Sequence, residues 1–152
     1  MQIHPGTLNR FINAEYVFER VKGCFSDFQT ALDTINDQRH RSQVKGIVSE
    51  CVERGQFTKI RYGSVVIGLR LLLVMPQEES AKGVVVCTLE EPQFEAHKPI
   101  LGSFTFNGGG YTDIEHEEGA DRIHMEQNAF WIILEFLSMA LGRPIPADQT
   151  QP

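Results

Sequence analysis

Apolar residues recur at intervals of three and four along the first 35 residues of the chain. Eight residues share this spacing: Phe11, Ala14, Phe18, Val21, Phe25, Phe28, Leu32 and Ile35. A period of about 3.5 residues places them on one stripe of a single helix. The pattern predicts a helix over about Leu8–Asn36, with Thr7 as its N-cap and its apolar stripe buried against another element.

A second helix is predicted over about Gln43–Glu53, after a polar loop. The spacing of its apolar residues puts four of them on one face: Val44, Ile47, Val48 and Cys51. Two helices joined by a short loop form an antiparallel hairpin. The first part of the predicted fold is therefore an N-terminal helical hairpin.

The middle of the chain predicts an antiparallel sheet, because apolar and polar residues alternate there with the period of strands. About five strands are expected, over 57–62, 65–75, 83–89, 100–106 and 111–115. Gly63-Ser64 suits a two-residue type II′ turn, which pairs Tyr62 with Val65. The residues that this register places in the core are Ile60, Val65, Ile67 and Leu69.

The last helix is predicted over about Arg122–Leu141, with Asp121 as its N-cap and Gly142 and Pro144 ending it. Its only polar stripe consists of Asn128, Trp131, Glu135 and Ser138. The predicted class is α+β, with the helical hairpin, a meander sheet and this helix packed on the sheet. Residues 1–145 are expected to form one domain and residues 146–152 a disordered tail.

Charge is distributed unevenly along the 152 residues, whose net charge is −6. Residues 1–62 hold nine Lys and Arg against seven Asp and Glu, a net charge of +2. Residues 63–152 hold five against thirteen, a net charge of −8. A net acidic chain does not favour phosphate contacts, so no nucleic-acid partner is predicted. The asymmetry favours docking between opposite charges.

Neither a membrane segment nor a signal peptide is predicted, because no apolar run approaches ~18 residues and the first ten residues lack an apolar core. The three cysteines (Cys24, Cys51 and Cys87) lie in apolar patterns and lack the spacing of zinc ligands. Buried free thiols are typical of a reducing compartment, so the chain is expected to be cytoplasmic.

Three cations lie on the outer face of the predicted sheet: Lys59, Arg61 and Arg70. Such a trio can bind a carboxylate or a phosphate, and therefore an anion or an acidic partner. The alternative is a solvated sheet face whose cations pair with nearby glutamates.

An acidic segment contains weak candidates for metal ligands: Asp113, His116, Glu117 and His124. Carboxylates and imidazoles bind divalent cations, and a neutral histidine beside carboxylates can act as a general base. The spacing matches no ligand signature, so no metal and no cofactor are predicted. The preferred interpretation is a solvated acidic loop before a helix, where the helix dipole favours negative charge.

Two functional classes remain open on the sequence alone. The first is a non-enzymatic interaction protein (accessory, chaperone-like or inhibitor/immunity-type), in which Phe18 and Trp131 contact a protein partner or the second copy of a homodimer. The second is a small-molecule-binding domain or small enzyme with a pocket between sheet and helices. Its walls would include Phe104, Phe106 and Tyr111, with His97 or Arg70 as a polar anchor.

Catalysis is open but unsupported, because no serine, cysteine or lysine has the local sequence context of a nucleophile. The interaction protein is therefore the preferred prediction.

Overall fold

The computed structural model describes residues 1–35, 44–115 and 122–144, which form two helices and a five-stranded antiparallel sheet. The elements in chain order are α1 (Thr7–Asp33), β1 (Ile47–Glu53), β2 (Phe57–Tyr62), β3 (Val65–Val74), β4 (Lys82–Glu91), β5 (Ile100–Phe106) and α2 (Ala129–Leu141). Each strand pairs with the next one along the chain, in the order β1-β2-β3-β4-β5. The α+β class with a meander sheet is confirmed. The predicted tail over 146–152 lies outside the described residues.

The register of the β2–β3 hairpin agrees with the prediction. Tyr62 pairs with Val65, and the pairing continues to Phe57 opposite Arg70. The four residues predicted for the core are buried: Ile60, Val65, Ile67 and Leu69. The turn glycine, Gly63, has a positive φ of 61°, which glycine adopts without steric cost.

The second predicted helix is wrong, because residues 47–53 form strand β1 at the edge of the sheet. Ile47 pairs with Tyr62 and Cys51 with Thr58. The apolar spacing in this segment suits both a helix face and a strand. Pairing with β2 decides for the strand, because it satisfies backbone groups along six residue pairs.

The predicted strand over 111–115 is also wrong, and α2 begins seven residues later than expected. The chain there forms only isolated bridges, from Thr112 to Phe106 and from Tyr111 to His124. The Thr112 amide donates to the Ile123 carbonyl, and the Met125 amide donates to the Gly110 carbonyl. These bonds hold 123–125 in an extended connection, so the helix cannot begin before it.

The predicted N-caps differ from the structure as well, whereas α2 ends at Gly142 as predicted. Gly6, not Thr7, is the N-cap of α1, and no side chain caps that end of the helix. Asn128 is the N-cap of α2, also without a side-chain cap. Asp121, the predicted cap, lies outside the described residues.

Both helices pack on the same face of the sheet. Gly83 of β4 lies so close to Val21 of α1 and to Phe106 of β5 that a Cβ there would meet each of them at 2.6 Å. The rings of Phe104 and Phe136 stack with centroids 6.2 Å apart, which places α2 beside α1 on this face. The resulting core fills the layer between the sheet and the two helices.

Gln29 ties α1 to the β1–β2 hairpin from inside the core. Its fully buried amide nitrogen lies 2.9–3.2 Å from three acceptors, the carbonyls of Glu53 and Phe57 and the Thr58 hydroxyl, which share its two N–H groups. Its carbonyl oxygen accepts from the Gly55 amide at 2.7 Å. The C-terminal half of α1 is thereby held against the sheet edge.

Candidate interaction surfaces

The N-terminal half of α1 presents an exposed apolar cluster, here called the α1 patch. It consists of Leu8, Phe11, Ile12 and Tyr16, which are 69%, 56%, 57% and 69% exposed. Leu8, Ile12 and Tyr16 follow one another at intervals of four, so they share one side of the helix. Exposed apolar residues are usually scattered, whereas these four are contiguous.

Leu8, Ile12 and Tyr16 lie on the side of α1 that faces away from the domain, whereas Phe11 lies between that side and the stripe that contains Ala14. On the opposite side, Ala14 is buried, and the Arg10 guanidinium donates to the carbonyls of Met75 and Pro76, both at 3.2 Å. These bonds hold the first turns of α1 on the β3–β4 connection. The patch is therefore carried by an anchored helix.

The apolar stripe predicted for α1 is divided by the fold. Six of its eight residues are buried: Ala14, Val21, Phe25, Phe28, Leu32 and Ile35. Phe18 is half-buried and Phe11 is exposed. The sheet reaches under only part of the helix, so the N-terminal end of the stripe is left in solvent.

Trp131 lies on the outer side of α2 and is 59% exposed. Its ring meets Phe130 edge to face, with centroids 5.4 Å apart. Glu135 and Ser138 are exposed beside it, so the polar stripe predicted for α2 is present. These polar residues separate Trp131 from the exposed Leu141.

The three predicted cations lie on the outer face of the sheet, along β2 and β3. Arg70 stacks on the Phe57 ring at 4.1 Å, and Arg61 pairs with Glu91 at 3.4 Å. Lys59 is half-buried between them in the register. Arg70 and Arg61 therefore already have partners within the chain, and binding of an anion at this face stays a prediction.

Glu90 is a residue of this face that the sequence did not indicate. Its side chain is only 6% exposed and pairs with Lys98 at 2.8 Å. It fits because Gly68 has no side chain: a Cβ there would meet Glu90 Oε1 at 2.9 Å and Phe57 at 2.8 Å. An isolated glycine inside a strand is a signal of such close approach.

The predicted pocket residues come together only in part. Phe104 and Phe106 are buried in the core, and His97 is exposed in the β4–β5 loop. Phe106 and Tyr111 line an open cleft of about 630 Å³ at the end of β5, whose charged walls include Lys82 and Arg122. Phe104 and His97 do not line this cleft.

The acidic segment is only partly described, because His116 and Glu117 lie outside the described residues. The Asp113 carboxylate accepts from the Thr105 amide at 2.9 Å, and the His124 Nε2 lies 3.0 Å from the Gly109 carbonyl. Both side chains therefore hold the local backbone. Among the described residues, no group of three potential ligands is placed to hold a metal ion.

The cysteines are free, as predicted, but only Cys87 is buried, whereas Cys24 and Cys51 are half-buried. Burial, reinforced by Glu90, raises the pKa of the Cys87 thiol to about 12. Burial also raises the pKa of Cys24, with the negative charge of Asp27 adding to the effect. Both thiols are therefore held in their neutral, unreactive form.

No protein-family model, curated protein or solved structure matches the chain in the comparisons. Within the described residues, neither helix combines the length and the apolar character needed to cross a membrane.

Proposed function

We propose that this domain is a non-enzymatic protein-interaction module that binds a partner through the α1 patch. The observation that carries the proposal is the exposure of four contiguous apolar side chains on a helix that Arg10 anchors to the domain. Apolar helix faces presented in this way are a common means of docking proteins. A protein partner or a second copy of the chain would bury the patch.

The patch has the size expected of a small interface. Four side chains of this kind, more than half exposed, offer about 500 Å² of surface. Patches larger than a few hundred Å² are rare on monomers without a binding role. The free thiols support placing the module in a reducing compartment, the cytoplasm.

Binding of a small molecule is the second candidate, and it rests on the cleft beside Tyr111. A volume of about 630 Å³ is within the range of ligand sites. Arg122 is exposed at its wall, whereas Lys82 already pairs with Glu79 at 2.9 Å. The mixed charges of the walls favour a polar ligand.

Site-specific photo-crosslinking in cells tests the proposed function. A benzophenone amino acid is placed at Leu8, Ile12 or Tyr16, and at Ile100 as the control, because Ile100 is 67% exposed on β5. A discrete crosslinked species is expected from the three α1 positions and not from Ile100. Absence of a specific product at all three α1 positions would refute the proposal.

A further inference from the structure

The α1 patch has an internal symmetry that suits a particular partner. Leu8 and Tyr16 lie four residues to either side of Ile12, so the stripe reads similarly in both directions. A two-fold interface needs such a self-complementary surface. We infer that the α1 patch binds a second copy of this chain, with the two α1 helices antiparallel across a two-fold axis at Ile12. This inference rests on the proposed function and names its partner.

The antiparallel arrangement matches each residue with one on the second copy. Leu8 of one copy packs beside Tyr16 of the other, and Ile12 packs against Ile12. Phe11 borders the same contact from the side nearer the domain. The exposed apolar side chains are thereby covered without a partner of different shape.

The charges along α1 also favour the antiparallel arrangement of the two helices. The first turn of α1 contains no acidic residue, and its N-cap Gly6 offers no side chain to the free amide groups. That end of a helix carries a partial positive charge. Counting from Ile12, Glu15 falls opposite Asn9 in the first turn of the second copy, whereas Glu19 falls beyond that helix and pairs with Lys22 of its own chain at 3.5 Å. A parallel pair would instead place each glutamate beside its own equivalent.

The area that the two α1 patches can bury is small for a dimer interface. Each copy contributes about 500 Å², so the contact buries about 1,000 Å² in total, at the lower limit for a specific interface. We therefore expect a reversible dimer with a dissociation constant in the micromolar range. Trp131 offers a poorer contact, because Glu135 and Ser138 interrupt the apolar surface of α2.

Sedimentation equilibrium measures the dimer directly. At about 100 μM the wild-type chain of 17.2 kDa is expected to approach twice that mass, 34.4 kDa. Ile12→Glu should sediment as a folded monomer, whereas the matched control Ile100→Glu should dimerise like the wild type. Glu15→Gln should weaken the dimer about two- to fivefold, and Asp27→Asn should not.

Cysteine crosslinking tests the geometry. In a Cys24→Ser/Cys51→Ser background, Ile12→Cys should form a disulfide-linked dimer under mild oxidation. Leu8→Cys alone should not, because its two copies lie about 12 Å apart along the helices, but it should link to Tyr16→Cys in a mixture. Circular dichroism of each variant verifies folding.

The inference is overturned if the wild type remains at 17.2 kDa at this concentration, or if Ile12→Glu dimerises normally. It is also overturned if Leu8→Cys links to itself and Ile12→Cys does not. A photo-crosslinked product that contains a different protein would overturn the homodimer and leave the proposed function standing. Absence of any product would refute both.

Discussion

At the scale of single residues, Gln29 joins α1 to the β1–β2 hairpin, the next two strands along the chain. The two N–H groups of its amide face three acceptors, the carbonyls of Glu53 and Phe57 and the Thr58 hydroxyl, and its amide oxygen accepts from the Gly55 amide. Because the side chain is fully buried, water cannot replace those bonds. The polar residue on an apolar helix face is therefore explained by the backbone groups opposite it.

Replacing Gln29 with leucine tests this role at nearly constant volume. The change leaves the Gly55 amide and two carbonyls without their partner, so the free energy of unfolding should fall by about 2–4 kcal/mol. Urea denaturation followed by circular dichroism measures the loss. Gln93→Leu, at an exposed glutamine, is the control and should change it by less than about 0.5 kcal/mol. An equal loss of stability in both variants would contradict the structural role of the Gln29 hydrogen bonds.

The raised pKa of Cys87 predicts a loss of stability at alkaline pH. Above pH 9 the thiol ionises in the unfolded chain but stays protonated in the folded one, whose pKa is about 12. Unfolding then releases a proton, so the free energy of unfolding falls as pH rises, by about 1.4 kcal/mol per pH unit. The fall begins near pH 9 and continues toward pH 12.

Cys87→Ala removes this dependence. Denaturation midpoints between pH 8 and pH 11 should fall more steeply for the wild type than for the variant. The smaller side chain lowers stability at every pH, so the comparison is between slopes. Parallel curves would show that the thiol does not contribute.

At the scale of elements, the close approach of α1 to the sheet depends on a residue without a side chain. Gly83 leaves room for Val21 and Phe106, both buried, at the crossing of α1 over β4. Gly23, within α1, has open space where a Cβ would stand. The close packing of α1 on the sheet therefore needs a glycine at position 83 but not at position 23.

Alanine at each of these positions should shift stability in opposite directions. Gly83→Ala should lower the free energy of unfolding by about 1–3 kcal/mol, because the core must separate to admit a methyl group. Gly23→Ala should raise it by about 0.4–1 kcal/mol, since alanine favours the helix. Thermal denaturation of the two variants provides the comparison. A stabilised Gly83→Ala variant would mean that α1 packs more loosely than the structure indicates.

At the scale of the whole molecule, both helices cover one face of the sheet, and no other described element covers the second face. The N-terminal half of α1 extends beyond this packing and carries the exposed patch. The surface for a partner therefore consists of the outward side of this anchored half, together with Phe11, which the sheet does not cover. Trp131 and Phe18, the two predicted contact residues, lie outside the α1 patch.

Glutamate substitutions at Trp131 and Phe18 test whether either residue contributes to the dimer interface or to the stability of the fold. Trp131→Glu should leave both the sedimenting mass and the stability nearly unchanged, because its ring is already exposed. Phe18→Glu should lower the free energy of unfolding by about 1–3 kcal/mol, since it replaces a half-buried ring with a charge. A folded monomer produced by Trp131→Glu would move the interface to α2.

The local sequence pattern predicted the structure correctly where the spacing of apolar residues fitted only one kind of element. The eight apolar positions of α1 and the Gly63-Ser64 turn predicted the long helix and the β2–β3 register. Both are determined by neighbours along the chain, through helical spacing and turn geometry. The outer-face positions of Lys59, Arg61 and Arg70 follow from the same register.

Tertiary contacts determined the structure of the segments whose local pattern fitted more than one kind of element. Residues 47–53 suit a helix and a strand alike, and only the presence of β2 beside them selects the strand. The late start of α2 depends on bonds from 123–125 to a distant turn, and the burial of Glu90 depends on the space above Gly68. Exposure of Phe11 likewise depends on where the sheet ends. By itself the sequence determined which segments are periodic, whereas the packing of distant segments determined which apolar residues remain in solvent, because burial depends on neighbours in space.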